Sequence, residues 1–128
     1  MVILTEEIKK VNDSKYSLYD RITKLIIYSR KYILNSIPKI HNDLRINLTN
    51  NLYSLANNMF YSTYNKGNIR LKYLTELQVN ISMVDMLFVI LRKENIIKKH
   101  NIEVVISELS YIKNIVYGWK INEEKIKS

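Results

Sequence analysis

An all-α fold, an up-down-up-down four-helix bundle, follows from three properties of this sequence. Apolar residues recur at alternating three- and four-residue spacing through most of the chain, as in Leu74, Leu77, Ile81, Val84, Phe88 and Leu91. That is the period of one helical face. Two glycines and one proline in 128 residues leave too few turn breakers for the many short strands of a sandwich or barrel. The breakers that exist divide the pattern into four long segments with short connections, which makes neighbouring helices antiparallel.

The first helix is predicted over residues 17–35. Ser17, with Asp20 three residues on, reads as a partial capping box, and Leu18, Ile22, Leu25, Ile26 and Ile33 form the buried side before Pro38 ends the run. The second, over residues 40–64, turns Leu44, Leu48, Leu52, Leu55 and Met59 inward and stops at Tyr64-Asn65-Lys66-Gly67-Asn68. The third covers residues 69–95. Beside its main seam it carries a second stripe, Val79, Met83, Met86 and Ile90. A helix of a small monomer keeps a solvated face, so this stripe is predicted to be an oligomer interface. The fourth covers residues 101–120, with Ile102, Val105, Leu109, Ile112, Val116 and Trp119 as its seam, stopping between Gly118 and Ile121. Residues 121–128 read as a polar tail that frays. No linker, repeat or low-complexity tract divides residues 1–128, so one domain is expected.

Composition narrows the function. The formal net charge is +8 and the isoelectric point about 9.6, which favours a polyanionic partner. Part of the lysine excess matches the A/T-rich codons that also supply Asn, Ile and Tyr, so placement of the charge carries more weight than its amount. The absence of cysteine removes disulfides, thiolate metal sites and thiol nucleophiles, and fits a reducing, cytoplasmic setting. The start, Met1 to Glu7, is too short in its apolar run and too acidic for a secretion signal. No uninterrupted apolar stretch is long enough to span a bilayer, so no membrane partner is expected.

Catalytic chemistry finds little support. His41 and His100 fall at helix starts in different segments, and neither has a second ligand at a metal-binding spacing. Gly67 and Gly118 stand alone, so there is no phosphate loop. No Glu is followed by His three residues later, as a di-metal bundle requires, and neither His has the preceding Arg of the HEPN nucleases. No enzyme activity, cofactor or metal is therefore expected. Asp85 is the one carboxylate among apolar neighbours; it reads as part of a narrow polar line with Gln78 and Ser82, with an inter-subunit ion pair as the alternative.

The strongest positive feature is a basic stripe. Arg21, Lys24, Tyr28 and Lys31 share one face of the first helix, with Arg30 beside them. The stripe covers about 15 Å at 1.5 Å per residue, enough to meet several phosphates, and Tyr28, Tyr19 and Tyr32 offer rings for unpaired bases. Further cations flank the helix ends: Lys39 and Arg45, then Lys66, Arg70 and Lys72, then Arg92, Lys93, Lys98 and Lys99. The competing reading is an ordinary solvated helix face.

Several short stretches resemble a known family. Ile37-Pro38-Lys39 at the first corner, the segment from Leu44 to Met59, Tyr73-Leu74-x-Glu76-Leu77 opening the third helix and Ile115-Val116-Tyr117-Gly118-Trp119 near the end of the fourth look like the accessory variability determinant (Avd) proteins of diversity-generating retroelements. These belong to a wider four-helix superfamily that includes proteins linked to ribosomal RNA intervening sequences. The resemblance implies a ring-like homo-oligomer, a pentamer, without catalytic activity. It further implies binding of template RNA or DNA and of a reverse transcriptase, in support of mutagenic cDNA synthesis. At the positions where family members often carry two arginines in the third helix, this chain has Ile81 and Asp85, so no site residues transfer from there. Lys39 is the one transferred position able to touch phosphate. The alternative is an RNA-binding or purely structural bundle of the intervening-sequence type, with no reverse transcriptase partner.

Overall fold

The computed structural model describes the backbone of residues 2–127 and the side chains of residues 17–126. Four helices follow one another: α1 (Val2–Tyr32), α2 (Asn42–Thr63), α3 (Gly67–Lys93) and α4 (Lys99–Lys127). Each packs against its sequence neighbours and α1 closes the ring against α4, which makes an antiparallel four-helix bundle. Among the described residues α3 packs extensively on both α2 and α4, and α1 packs on α4 and α2.

One aliphatic core runs the length of the bundle. Its members include Leu18, Ile22 and Leu25 of α1, Leu48, Leu52 and Leu55 of α2, Leu74, Leu77, Val84 and Phe88 of α3, and Ile102, Val105, Ile112 and Val116 of α4. These are the seams expected from the spacing. Removing so many branched side chains from water is the main driving force for association, at roughly 1.5–3 kcal/mol for each fully buried one. A polar stitch sets the register of α2 on α3: the Asn80 carboxamide accepts from Asn58 and donates to Asn51 Oδ1 at 3.3 Å.

The first corner is a built structure. After α1 the chain makes a 3-10 turn at Leu34–Ser36, Ile37 is extended as residues before proline usually are, and a second 3-10 turn at Lys39–His41 leads into α2. Arg45 reaches back from α2, donating from Nε to the Leu34 carbonyl at 3.2 Å and from its terminal nitrogens to the Ile37 carbonyl and Asn42 Oδ1. The Ile37 carbonyl is thereby paired, and the Leu34 carbonyl, which also accepts from the Ile37 N–H at 3.4 Å, gains a second donor. α3 ends in a Schellman motif. Asn95 adopts φ 57°, its N–H bonds the Arg92 carbonyl at 3.1 Å, and the Ile96 N–H bonds the Leu91 carbonyl at 2.9 Å.

Three expectations need correction. α1 does not begin at Ser17 but at Val2, because no glycine or proline interrupts residues 2–32 and a capping signature within a continuous pattern does not start a helix. Ser17 instead lies within α1, where its hydroxyl accepts from Arg21 Nε at 3.4 Å. α4 does not stop near Gly118: it passes through that residue, around which an added Cβ would meet nothing within 4 Å. Nor do residues 121–127 fray, since α4 continues to Lys127. Glu123 explains the extension. Its side chain is buried, its Oε1 accepts from the Gly67 N–H at 2.6 Å, and its other oxygen lies 3.9 Å from Arg70, whose guanidinium stacks on the Trp119 ring. Lys66, the residue before α3, provides no side-chain cap, so a carboxylate from α4 serves as one at the positive end of the α3 dipole.

α3 has the length and hydropathy of a bilayer-crossing segment. Here its most apolar face, Leu74 to Leu91, is consumed by the core, while Glu76 and Asp85 stand on the exposed side.

Replacing Glu123 by Ala should cost about 1–2 kcal/mol, because it uncaps α3 and strands a half-buried arginine. Urea denaturation followed by circular dichroism measures it. A stability unchanged within error would show that α4 continues past Trp119 for some other reason.

Candidate nucleic-acid interface

The charge of the bundle is unevenly distributed. Between residues 21 and 63, Arg21, Lys24, Arg30, Lys31, Lys39 and Arg45 face a single acid, Asp43. The fold then sorts these cations by what their head groups already hold, and the sorting differs from the face read along the first helix.

Half of them are engaged. Arg21 is partly buried, donates to both carboxylate oxygens of Glu108 at 3.1 and 3.4 Å, and lies 4.7 Å from the centre of the Tyr111 ring, which ties α1 to α4. Lys24 pairs with Asp20 at 3.1 Å on the surface, where such a pair contributes little. Arg45 holds the corner. Arg70, beyond this segment, is taken up by Glu123 and Trp119. Tyr28 is half-buried and donates to Asn101 Oδ1 at 3.2 Å, so its ring is part of the α1/α4 seam and its stacking role is not supported by its position. Tyr32 packs against Tyr28 with ring centres 4.7 Å apart.

Arg30, Lys31 and Lys39 are exposed, and no carboxylate pairs with them among the described residues. They lie at the end of the bundle where α1 and α3 finish and α2 and α4 begin. Arg92 and Lys93 close α3 at that same end, with Lys98 and Lys99 in the following turn and start of α4. Lys99 pairs with Glu103 at 3.7 Å. Cations in the last turn of a helix also complement its dipole, which accounts for the placement of Arg30, Lys31, Arg92 and Lys93 in local terms. Lys72 and Lys66 are at the opposite end, with Lys72 over the Tyr73 ring. Of the predicted set, Arg30, Lys31, Lys39, Arg92 and Lys93 gather at one end, Arg70 and Lys72 are at the other, and Arg21 and Lys24 lie between them along α1.

Sequence reasoning missed the outer face of α2. Ile46, Asn50, Tyr53, Asn57 and Phe60 are all exposed and follow the spacing of one helical stripe, alternating an apolar group with a carboxamide. The signal was present in the spacing, but the stronger leucine seam on the same helix obscured it. This stripe borders a cleft of about 580 Å³ between α1 and α2, lined by Ile27, Arg30, Lys31, Leu34, Thr49 and Tyr53 among others. Toward the other end Tyr19 meets Phe60 edge to face, with ring centres 6.1 Å apart.

The second stripe of α3 divides. Val79 is 67% exposed and Met86 49%, whereas Met83 and Ile90 are half-buried and Met83 packs on the core. Ile81 is buried, and Asp85 and Ser82 are exposed beside half-buried Gln78, as the polar-line reading expected. Among the described residues no three His, Asp or Glu side chains come together as metal ligands.

No protein-family model matches the chain, and neither do curated proteins or solved structures.

Proposed function

We propose that this chain is a non-catalytic, oligomeric nucleic-acid-binding bundle that serves as the accessory subunit of a retroelement reverse transcriptase. The observation that carries the binding part is the gathering of unpaired Arg30, Lys31 and Lys39 at one end of the molecule, with Arg92 and Lys93 at the same end. Phosphate binding needs cations that no carboxylate holds, and these three are of that kind, with Lys31 lying over the exposed Tyr32 ring at 5.2 Å. Assembly repeats this end around a ring and multiplies weak contacts by avidity. Val79 and Met86 are the apolar groups of α3 that such an interface would cover. The reverse transcriptase rests on the resemblance of the Ile37-Pro38-Lys39 corner and the Ile115-Val116-Tyr117-Gly118-Trp119 segment to Avd proteins. One observation favours the second reading, an RNA-binding or structural bundle without that enzyme: Ile81, where family members often have arginine, is a core residue and has nothing to offer a partner.

Binding through phosphates weakens steeply with salt because counterions are released. Changing Arg30, Lys31 and Lys39 together to Gln should lower the slope of log K against log salt by about 2 for a single strand. Arg21→Gln should leave that slope unaltered and act on stability instead. Anisotropy titrations across a salt series distinguish the two, and an unaltered slope in the triple variant would remove the site.

Light scattering is expected to give a mass several times that of the chain for the wild type. Met86→Glu should reduce it without unfolding the protomer, since each interface copy would have to desolvate a charge. A monomeric wild type at micromolar concentration would exclude the ring.

This reading requires a reverse transcriptase gene beside that of this chain, and co-expression of the two, with purification through a tag on the enzyme, should recover both proteins. Template-dependent synthesis should require the bundle. Full activity of the enzyme alone would leave the second reading in place.

A further inference from the structure

We propose that the cleft between α1 and α2 is a nucleobase site, which makes this protein selective for single-stranded over duplex nucleic acid. Tyr53, which lines the cleft, stacks an unpaired base; Asn50 and Asn57 on the same exposed face of α2 offer amides to base edges, and Arg30 and Lys31 hold the flanking phosphates. The inference rests on the reading of the chain as a nucleic-acid-binding bundle and names what that surface recognises.

Composition and geometry of the cleft argue together. Its α1 rim carries two exposed cations, Arg30 and Lys31, and no acid lines it. That is the charge a phosphate backbone needs and the wrong charge for a basic peptide. Its α2 rim carries no charge at all along the exposed stripe, only rings and aliphatic groups alternating with carboxamides. Tyr53 is 45% and Phe60 42% exposed, so both rings have area left to cover. They are one heptad apart, which places their Cα atoms about 10.5 Å apart along one face at 1.5 Å per residue. Neither Asn50 nor Asn57 spends its carboxamide on another side chain among the described residues, unlike Asn51, Asn58 and Asn80, which form the α2/α3 stitch.

A partner helix would be expected to meet an apolar groove with few interruptions. Here an amide stands between each pair of apolar groups, and amides in such a position reward a ligand with donors and acceptors of its own. Unpaired bases have both a stacking face and a hydrogen-bonding edge; in a duplex both are already occupied. The cleft is open to solvent, and its volume of about 580 Å³ leaves room for a base to lie against Tyr53.

The test compares two labelled DNA strands of about twelve nucleotides, one of thymidines and one with abasic sites at the same positions. Both carry the same phosphates, so any difference belongs to the bases. The wild type should bind the thymidine strand at least about fivefold more tightly. Tyr53→Ala should abolish most of that preference while the affinity for the abasic strand stays unchanged, and Tyr53→Phe, which keeps the ring, should retain it. Circular dichroism confirms that the variants fold. Equal wild-type affinity for the two strands would overturn the base site and leave phosphate binding standing. Absence of binding to either strand would overturn both. A fall in oligomeric mass on Tyr53→Ala, with the base preference intact, would assign the cleft to contacts between copies of the chain and overturn the proposal.

Discussion

The continuous aliphatic core shared by all four helices is the constraint on which the other features depend. A helix contributes to such a core through one stripe, and the residues on the remaining faces are then free to be polar, charged or exposed and apolar. Because the seams from Leu18, Leu48, Leu74 and Ile102 onward meet in one cluster, the ends of α1 and α3 come to the same end of the bundle as the starts of α2 and α4. Groups far apart in sequence become neighbours at one end: Arg30 and Lys39 near the first corner, Arg92 and Lys93 at the close of α3. The charge distribution of the molecule is therefore a consequence of its core.

Polar commitments decide which of these groups can meet a ligand. Arg21, Arg45 and Arg70 are all arginines at helix surfaces in the sequence, yet each is spent on structure: one ties α1 to α4, one closes the corner and one lies over Trp119 beside Glu123. Arginine suits such work because its planar fork can satisfy several acceptors while its face rests on a ring. The three cations left unpaired in the same segment are Arg30 and two lysines, Lys31 and Lys39. This division between structural and available charge gives the bundle a basic end rather than a basic side.

The seams that α1 makes with its neighbours follow the same division. Its contacts with α4 include an ion pair and a tyrosine hydroxyl, and its contacts with α2 leave a cleft whose rims are exposed. A tighter α1/α2 seam would bury Tyr53 and Ile27 and leave less surface for recognition.

Secondary structure and the core were legible in the sequence, because helix period and scarce breakers are local properties. Leu74, Leu77, Ile81, Val84, Phe88 and Leu91 announce a buried face without reference to any other helix, and all six are buried. What local pattern could not determine was where α4 ends. Glu123 looks like part of a solvated tail until Gly67, more than fifty residues earlier, is brought against it with an N–H that needs an acceptor. The same holds for the site: Arg21 and Arg30 are equivalent in the sequence, two cations on one amphipathic helix. Only the placement of Glu108 on the neighbouring helix occupies the first and leaves the second exposed, because whether a charge is available depends on what lies within a few ångströms of it, and the tertiary fold alone sets that distance.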